Sequence, residues 1–129
     1  MGATKRASDT ALDMEEKQLN ELLEKWGLLE PKKVYLFPDR CVLVGWQNPG
    51  DGVSFLHEIT RAKKALIQVA VQEAIEDRCW HYEQRWLGTT KIGYVYPPGI
   101  PRLIRHESDC HAESLLAAYI EALELTKET

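Results

Sequence analysis

Residues 106–111 read HESDCH, placing two histidines, a cysteine and two carboxylates in six positions. A second pair, Cys79 and His81, lies two residues apart upstream. Thiolate and imidazole groups bind zinc in tetrahedral sets, so Cys79, His81, His106 and Cys110 make a candidate four-ligand site if a strand carries the first pair and a helix start the second. Neither C-x-x-C nor H-x3-H is present, and the plainer reading is a polar strand face plus a capped helix start. The same residues admit a Cys–His dyad. Cys110 near a helix N-terminus would have a lowered pKa, with His81 or His106 as base. No third orienting residue or oxyanion donor is marked beside them, which turns the reading away from an enzyme. The stretch NPGDG follows a strand and precedes a helix, but it matches neither G-x-x-x-x-G-K-[ST] nor G-x-G-x-x-G and reads as a loop. No cofactor is expected.

Elements of regular spacing must position these residues. Residues 1–12 are small, polar and aperiodic, and read as a disordered tail ahead of a single domain over 13–129. Leu19, Leu22, Leu23 and Trp26 share one helix face, with Gly27 as the expected C-terminal stop. KKVYLFPDRCVLVGW predicts two short strands around a Pro38–Asp39–Arg40 turn, apolar on both faces. QNPGDG (47–52) is a loop. A long helix is expected from about Phe55 to Asp77, with Leu56, Ile59, Ala62, Leu66, Val69 and Ala70 as its stripe.

CWHYEQRW then alternates: Trp80, Tyr82 and Trp86 face one side, while Cys79, His81, Glu83 and Arg85 face a wet side. Its hairpin partner KIGYVYP puts Ile92, Tyr94 and Tyr96 on one face and stops at the prolines of PPGIP. RLIR (102–105) is a candidate fifth strand. The last helix runs from about Asp109 to Leu125, with Ser108 or Asp109 as N-cap. The stripe of that helix is Leu115, Leu116, Tyr119, Ile120 and Leu123. The order α-β-β-α-β-β-(β)-α predicts an α+β fold, drawn as a three-layer α/β/α sandwich around one mainly antiparallel sheet of four or five strands.

Composition bounds the function. At 129 residues, 44% hydrophobic and 28% charged, the chain has the make-up of one globular domain. A net charge of −4 and the lack of a basic face argue against general nucleic-acid binding. An odd cysteine count fits a reducing compartment. No apolar run is long enough to span a bilayer and the start lacks a signal-peptide core, so a cytoplasmic location without membrane attachment is expected. Prolines 97, 98 and 101 stiffen a segment carrying Ile100, Leu103 and Ile104 beside Arg102 and Arg105, a mixture that interfaces favour. With Trp86 on the neighbouring turn, the expected binding residues are Trp86, Ile100, Arg102, Leu103 and Arg105.

GWQNPGDGVSFLHEITRAKKAL gives a Gly-Trp, a loop and a helix, followed by a hairpin, a polar loop and the alanine-rich HAESLLAAYIEAL. Over about residues 45–124 this order resembles the phage ABA-sandwich domain family of small phage and prophage proteins. The extra N-terminal helix and strand pair depart from that family's pattern. The resemblance implies a layered α/β/α fold and a phage-associated origin, and carries no catalytic residue. The expected function is therefore that of a non-enzymatic phage or prophage accessory protein that binds a protein partner, with a homo-oligomer as one possible form. The alternatives are a small zinc-binding module and a small-molecule sponge with a pocket between helix and sheet or between subunits.

Overall fold

The computed structural model describes residues 17–37, 40–44, 52–55 and 61–127. The expected tail, the tip of the Pro38–Asp39–Arg40 turn, the loop over 47–51 and the stripe positions Leu56 and Ile59 lie outside the described residues. The fold is α+β, in the order α1-β1-β2-β3-α2-β4-β5-β6-α3.

Helix α1 covers residues 17–29. It buries Leu19, Leu23 and Trp26, as their spacing predicts. It does not stop at Gly27. The last turn closes where the Glu30 amide donates to the Trp26 carbonyl, and the Lys33 and Val34 amides then fold back onto the Glu30 carbonyl. The chain enters β1 (Val34–Phe37), which pairs antiparallel with β2 (Arg40–Val44) in the register Val34↔Leu43 to Phe37↔Arg40. That hairpin matches the sequence reading. A third strand, β3 (Gly52–Phe55), pairs with β2. Its residues were expected to form the loop end and the first residue of the long helix. Phe55 extends a helical spacing upstream, which masks a four-residue strand too short to declare its own alternation.

Helix α2 is accordingly shorter, Arg61–Asp77, and it is rotated from its expected phase. The buried stripe is Ile67, Ala70, Val71, Ala74 and Ile75, while Val69 is exposed. Two stripes compete on this helix one residue apart. The one carrying three β-branched side chains faces the core, because those side chains remove more apolar surface than the alanine-bearing alternative.

The second half is built on β4 (His81–Leu87), β5 (Thr90–Tyr96) and β6 (Ile104–Ser108). Strand β5 is central and both of its ladders are antiparallel. The described ladders therefore form two three-stranded sheets, β1-β2-β3 and β4-β5-β6, and not one sheet of four or five strands. The expected fifth strand starts later than RLIR and runs into HES. Helices α2, against β4, and α3, against β5 and β6, both pack against the Gly93 face. Among the described residues no helix is placed on the other face, so the expected helix-sheet-helix layering is not shown for this sheet. The wet strand face foreseen on β4 is continued across β5 and β6.

Helix α3 (His111–Lys127) buries Leu115, Leu116, Tyr119, Ile120 and Leu123 as expected, together with Ala112, Ala118 and Ala122. Its approach to the sheet is set by Gly93. A Cβ built there would stand 2.7 Å from the Ser114 carbonyl carbon and oxygen and 2.8 Å from the Leu115 Cα. Only glycine permits that contact between a strand backbone and a helix backbone. The expected Ser108 cap is displaced. Ser108 ends β6 and its hydroxyl brackets Cys110, accepting from the Cys110 amide and donating to the Cys110 carbonyl. Cys110 itself holds the N-cap position, its carbonyl accepting the Ser114 amide.

Candidate functional site

Alternation along three paired strands divides the second sheet cleanly. Tyr82 and Gln84 of β4, Gly93 and Val95 of β5, and Ile104 and His106 of β6 face the helices. The other face carries two consecutive cross-strand rows: Arg85, Ile92 and Glu107, then Glu83, Tyr94 and Arg105. A third row pairs His81 with Tyr96, and Leu87 pairs with Thr90 at the hairpin end.

These side chains form one connected surface network. Tyr94 and Tyr96 stack at 6.2 Å with their rings 3° from parallel. The Arg85 guanidinium sits 5.6 Å from the Tyr94 ring and donates to Glu83, which also accepts from the Tyr96 hydroxyl at 3.1 Å. Arg105 donates to the Tyr94 hydroxyl at 3.3 Å and to Glu107. Arg85 holds the Glu83 carboxyl below its ordinary pKa, with help from Tyr96. Partial burial, then the Glu83 carboxylate, raises the Tyr96 hydroxyl.

At the margins, Trp86 is 68% exposed, Leu87 76% and Leu103 60%. Trp86 and Leu87 stand at the tight turn where Gly88 takes a left-handed φ of 62°. Such a surface offers stacked rings, guanidinium donors and apolar margins.

The expected binding residues scatter around this face. Arg105 is part of the network and Leu103 borders it. Trp86 occupies the hairpin end. Arg102 turns to Glu121 at 3.4 Å. Ile100 is half-buried and packs against the core, so it acts as an anchor of the loop.

The four metal candidates do not converge. His81 is opposite Tyr96 and His106 opposite Gly93, so the two imidazoles stand on opposite faces of the sheet. His106 contacts the Glu121 carboxylate at 2.7 Å. Cys110 packs against the core beside the α3 N-cap. Cys79 is exposed and has a backbone role: with φ of 59° it occupies the left-handed position that ends α2. The Trp80 amide donates to the Ile75 carbonyl and the Cys79 amide to the Glu76 carbonyl, the double closure usually built on glycine. Among the described residues no three His, Cys, Asp or Glu side chains gather as a metal ion requires.

That helix stop aims two side chains at a second polar cluster, which the sequence reading missed. Glu30 accepts from the Tyr119 hydroxyl at 2.6 Å, from Trp26 Nε1 at 2.9 Å and from Arg78 Nη2 at 2.9 Å. Arg78 Nε also donates to the Tyr119 oxygen at 3.0 Å, and its guanidinium lies 5.1 Å from the Trp80 ring. Trp26 and Trp80 both meet Tyr119 edge to face. Burial disfavours the Glu30 charge, but the three donors outweigh it and the carboxyl titrates below its ordinary value. Burial and the adjoining carboxylate push the Tyr119 hydroxyl far up. The only local signal for this cluster was Trp26 four residues before Glu30; Arg78 and Tyr119 are distant in sequence. Its hydrogen-bonding groups are matched to one another, and it ties α1, the end of α2 and α3 together.

Two surface grooves border α1. One of about 290 Å³ includes His106, Glu107 and Glu113; another of about 310 Å³ lies between Leu28, Leu29 and Glu124. Both stand at the lower limit of small-ligand sites. No helix among the described residues is long and apolar enough to cross a membrane.

No family model matches this chain, and no curated protein or solved structure is significantly similar to it.

Proposed function

We propose that this chain is a non-enzymatic protein-binding module whose platform is the face of the β4-β5-β6 sheet opposite α2 and α3, with the hairpin end at Leu87 and the segment around Leu103 as its margins. The observation that carries the reading is the set of exposed large apolar side chains, Leu87, Tyr96 and Leu103, around the Arg85, Tyr94 and Arg105 network. Tryptophan, tyrosine and arginine dominate the energetics of protein interfaces. Isolated exposed apolar residues are ordinary, but three bordering one sheet face mark a contact surface, while the exposed Trp86 at the hairpin end lies on the opposite side of β4. The accessory role in a phage or prophage belongs to the same proposal and draws its support from the pattern over residues 45–124.

Site-specific photocrosslinking tests this. Benzoylphenylalanine placed at position 87, on the platform side of the hairpin end, should yield a covalent adduct with a polypeptide in the native cells. The same group at position 28, equally exposed but remote on α1, should not. Adducts absent at 87, or equal at both positions, would remove the platform from consideration.

A further inference from the structure

We infer that the partner of this face is a second copy of the same chain, docked sheet against sheet about a two-fold axis; the inference rests on the reading of that face as the binding platform. The argument is one of charge placement. Arg85 and Glu107 occupy the two ends of one row, and Glu83 and Arg105 the ends of the next. Like charges are therefore diagonal. If two copies face each other about an axis parallel to the strands, Arg85 meets the partner's Glu107 and Glu83 meets the partner's Arg105. If the axis runs across the strands, Arg85 meets the partner's Glu83 and Arg105 the partner's Glu107. An isologous interface requires self-complementarity about its one two-fold axis, and a diagonal placement of like charges meets that requirement whichever of the two axes is used. Like charges set opposite one another would instead suppress self-pairing.

The remaining groups agree. Between the charged corners lie the buried Ile92 and the half-buried Tyr94 ring, and at the ends lie the exposed Leu87 and Tyr96, so the margins of the face are apolar or aromatic and its middle presents the tyrosine. Facing sheets pack about 10 Å apart, within reach of arginine and tyrosine side chains from both sides. The chain as a whole carries −4, which repels copies of itself. This face does not share that charge, because Arg85 pairs with Glu83 and Arg105 with Glu107 along each strand. Two strands of seven residues and one of five offer a platform of at most roughly 15 by 23 Å. That is well under the ~800 Å² per partner of a standard interface, so the dimer is weak and forms and dissociates with concentration.

Sedimentation velocity on the full chain decides the matter. The wild type should shift from monomer to dimer between about 1 and 300 μM, and R85E/R105E and E83R/E107R should each remain monomeric, their Kd raised at least about tenfold. Mixed in equal amounts, the two variants should form a heterodimer, since one face is then wholly acidic and the other wholly basic. Circular dichroism should show both variants folded; should either unfold, the wild-type concentration series decides alone. A wild type that stays monomeric throughout, variants that dimerise as it does, or a folded pair that fails to associate on mixing each overturns the inference. If the wild type is monomeric while position 87 captures a different polypeptide, the second-copy inference fails and the platform stands. If position 87 captures nothing, the platform itself fails.

Discussion

Glu30 and Glu83 anchor two networks drawn from the same residue types, yet one is a clamp and the other a surface. Each glutamate accepts from a tyrosine hydroxyl and an arginine, and each arginine lies over an aromatic ring. The difference lies in what surrounds them. The Glu30 side chain is 10% exposed and its donors come from three helical regions far apart in sequence. Glu83 is 37% and Arg85 62% exposed, and their partners come from two adjacent strands. In the first network the Glu30 carboxylate and the buried Tyr119 are largely withdrawn from water, although Arg78 is 39% exposed, so losing Glu30 strands Tyr119 and Trp26. In the second, water replaces what is lost. The same chemistry thus stabilises the fold in one place and remains available to a partner in the other.

The sharpest way to break this contrast is at Glu30. Glu30→Ala should cost about 3 kcal/mol in urea unfolding, because Tyr119, Trp26 and Arg78 lose a common acceptor. A loss under about 1 kcal/mol would show that the cluster is as solvent-tolerant as the sheet face. Next is Gly93→Ala, between the two regions. Its methyl group would press on the Ser114 and Leu115 backbone, and a loss of about 2–3 kcal/mol is expected from thermal or urea unfolding. An unchanged midpoint would mean that α3 can move away freely.

Acid titration separates the two carboxylates. Both have folded-state pKa values below the ordinary 4.5. Their contributions are therefore complete above that value and are lost as pH falls through the lowered folded-state pKa. Added salt should erase most of the Glu83 share and leave the Glu30 share, as read from stability against pH for Glu30→Gln and Glu83→Gln at low and high ionic strength. Equal salt sensitivity would remove the distinction. The smallest effect is expected for Arg85→Ala, whose urea-unfolding midpoint as a monomer should match the wild type. A lowered midpoint would show that the outer network supports the fold.

Legibility in the sequence followed the range of the interactions. The stripe of α3 was read residue for residue, because five large apolar side chains share one period and no other stripe competes. On α2 two periods compete, and only the tertiary partner selects between them. The β4–β5 hairpin and its wet face were legible from clean alternation. What alternation does not declare is which side of β5 meets a helix: the stripe of Ile92, Tyr94 and Tyr96 lies on the open face, and the side lacking a large side chain at position 93 lies against α3. A mid-strand glycine between β-formers was the available signal for that close approach. The Cys and His candidates looked like a set because they are close in sequence, but they fall at a helix stop, on opposite faces of two different strands and at a helix N-cap. Glu30 gave no comparable signal, since two of its three donors arrive through the tertiary fold.

Gly93 has a mechanical consequence. Between most sheets and their helices lies a layer of interlocking side chains that can yield a little under load. At the centre of this sheet that layer is missing, and the β5 backbone rests on the backbone of α3 at Ser114 and Leu115. A peptide plane backed by a helix has nothing soft to compress. Pressure applied at Ile92 and Tyr94 is passed to α3 instead of being absorbed, so the platform behaves as a stiff plate that keeps its shape whether or not it is covered.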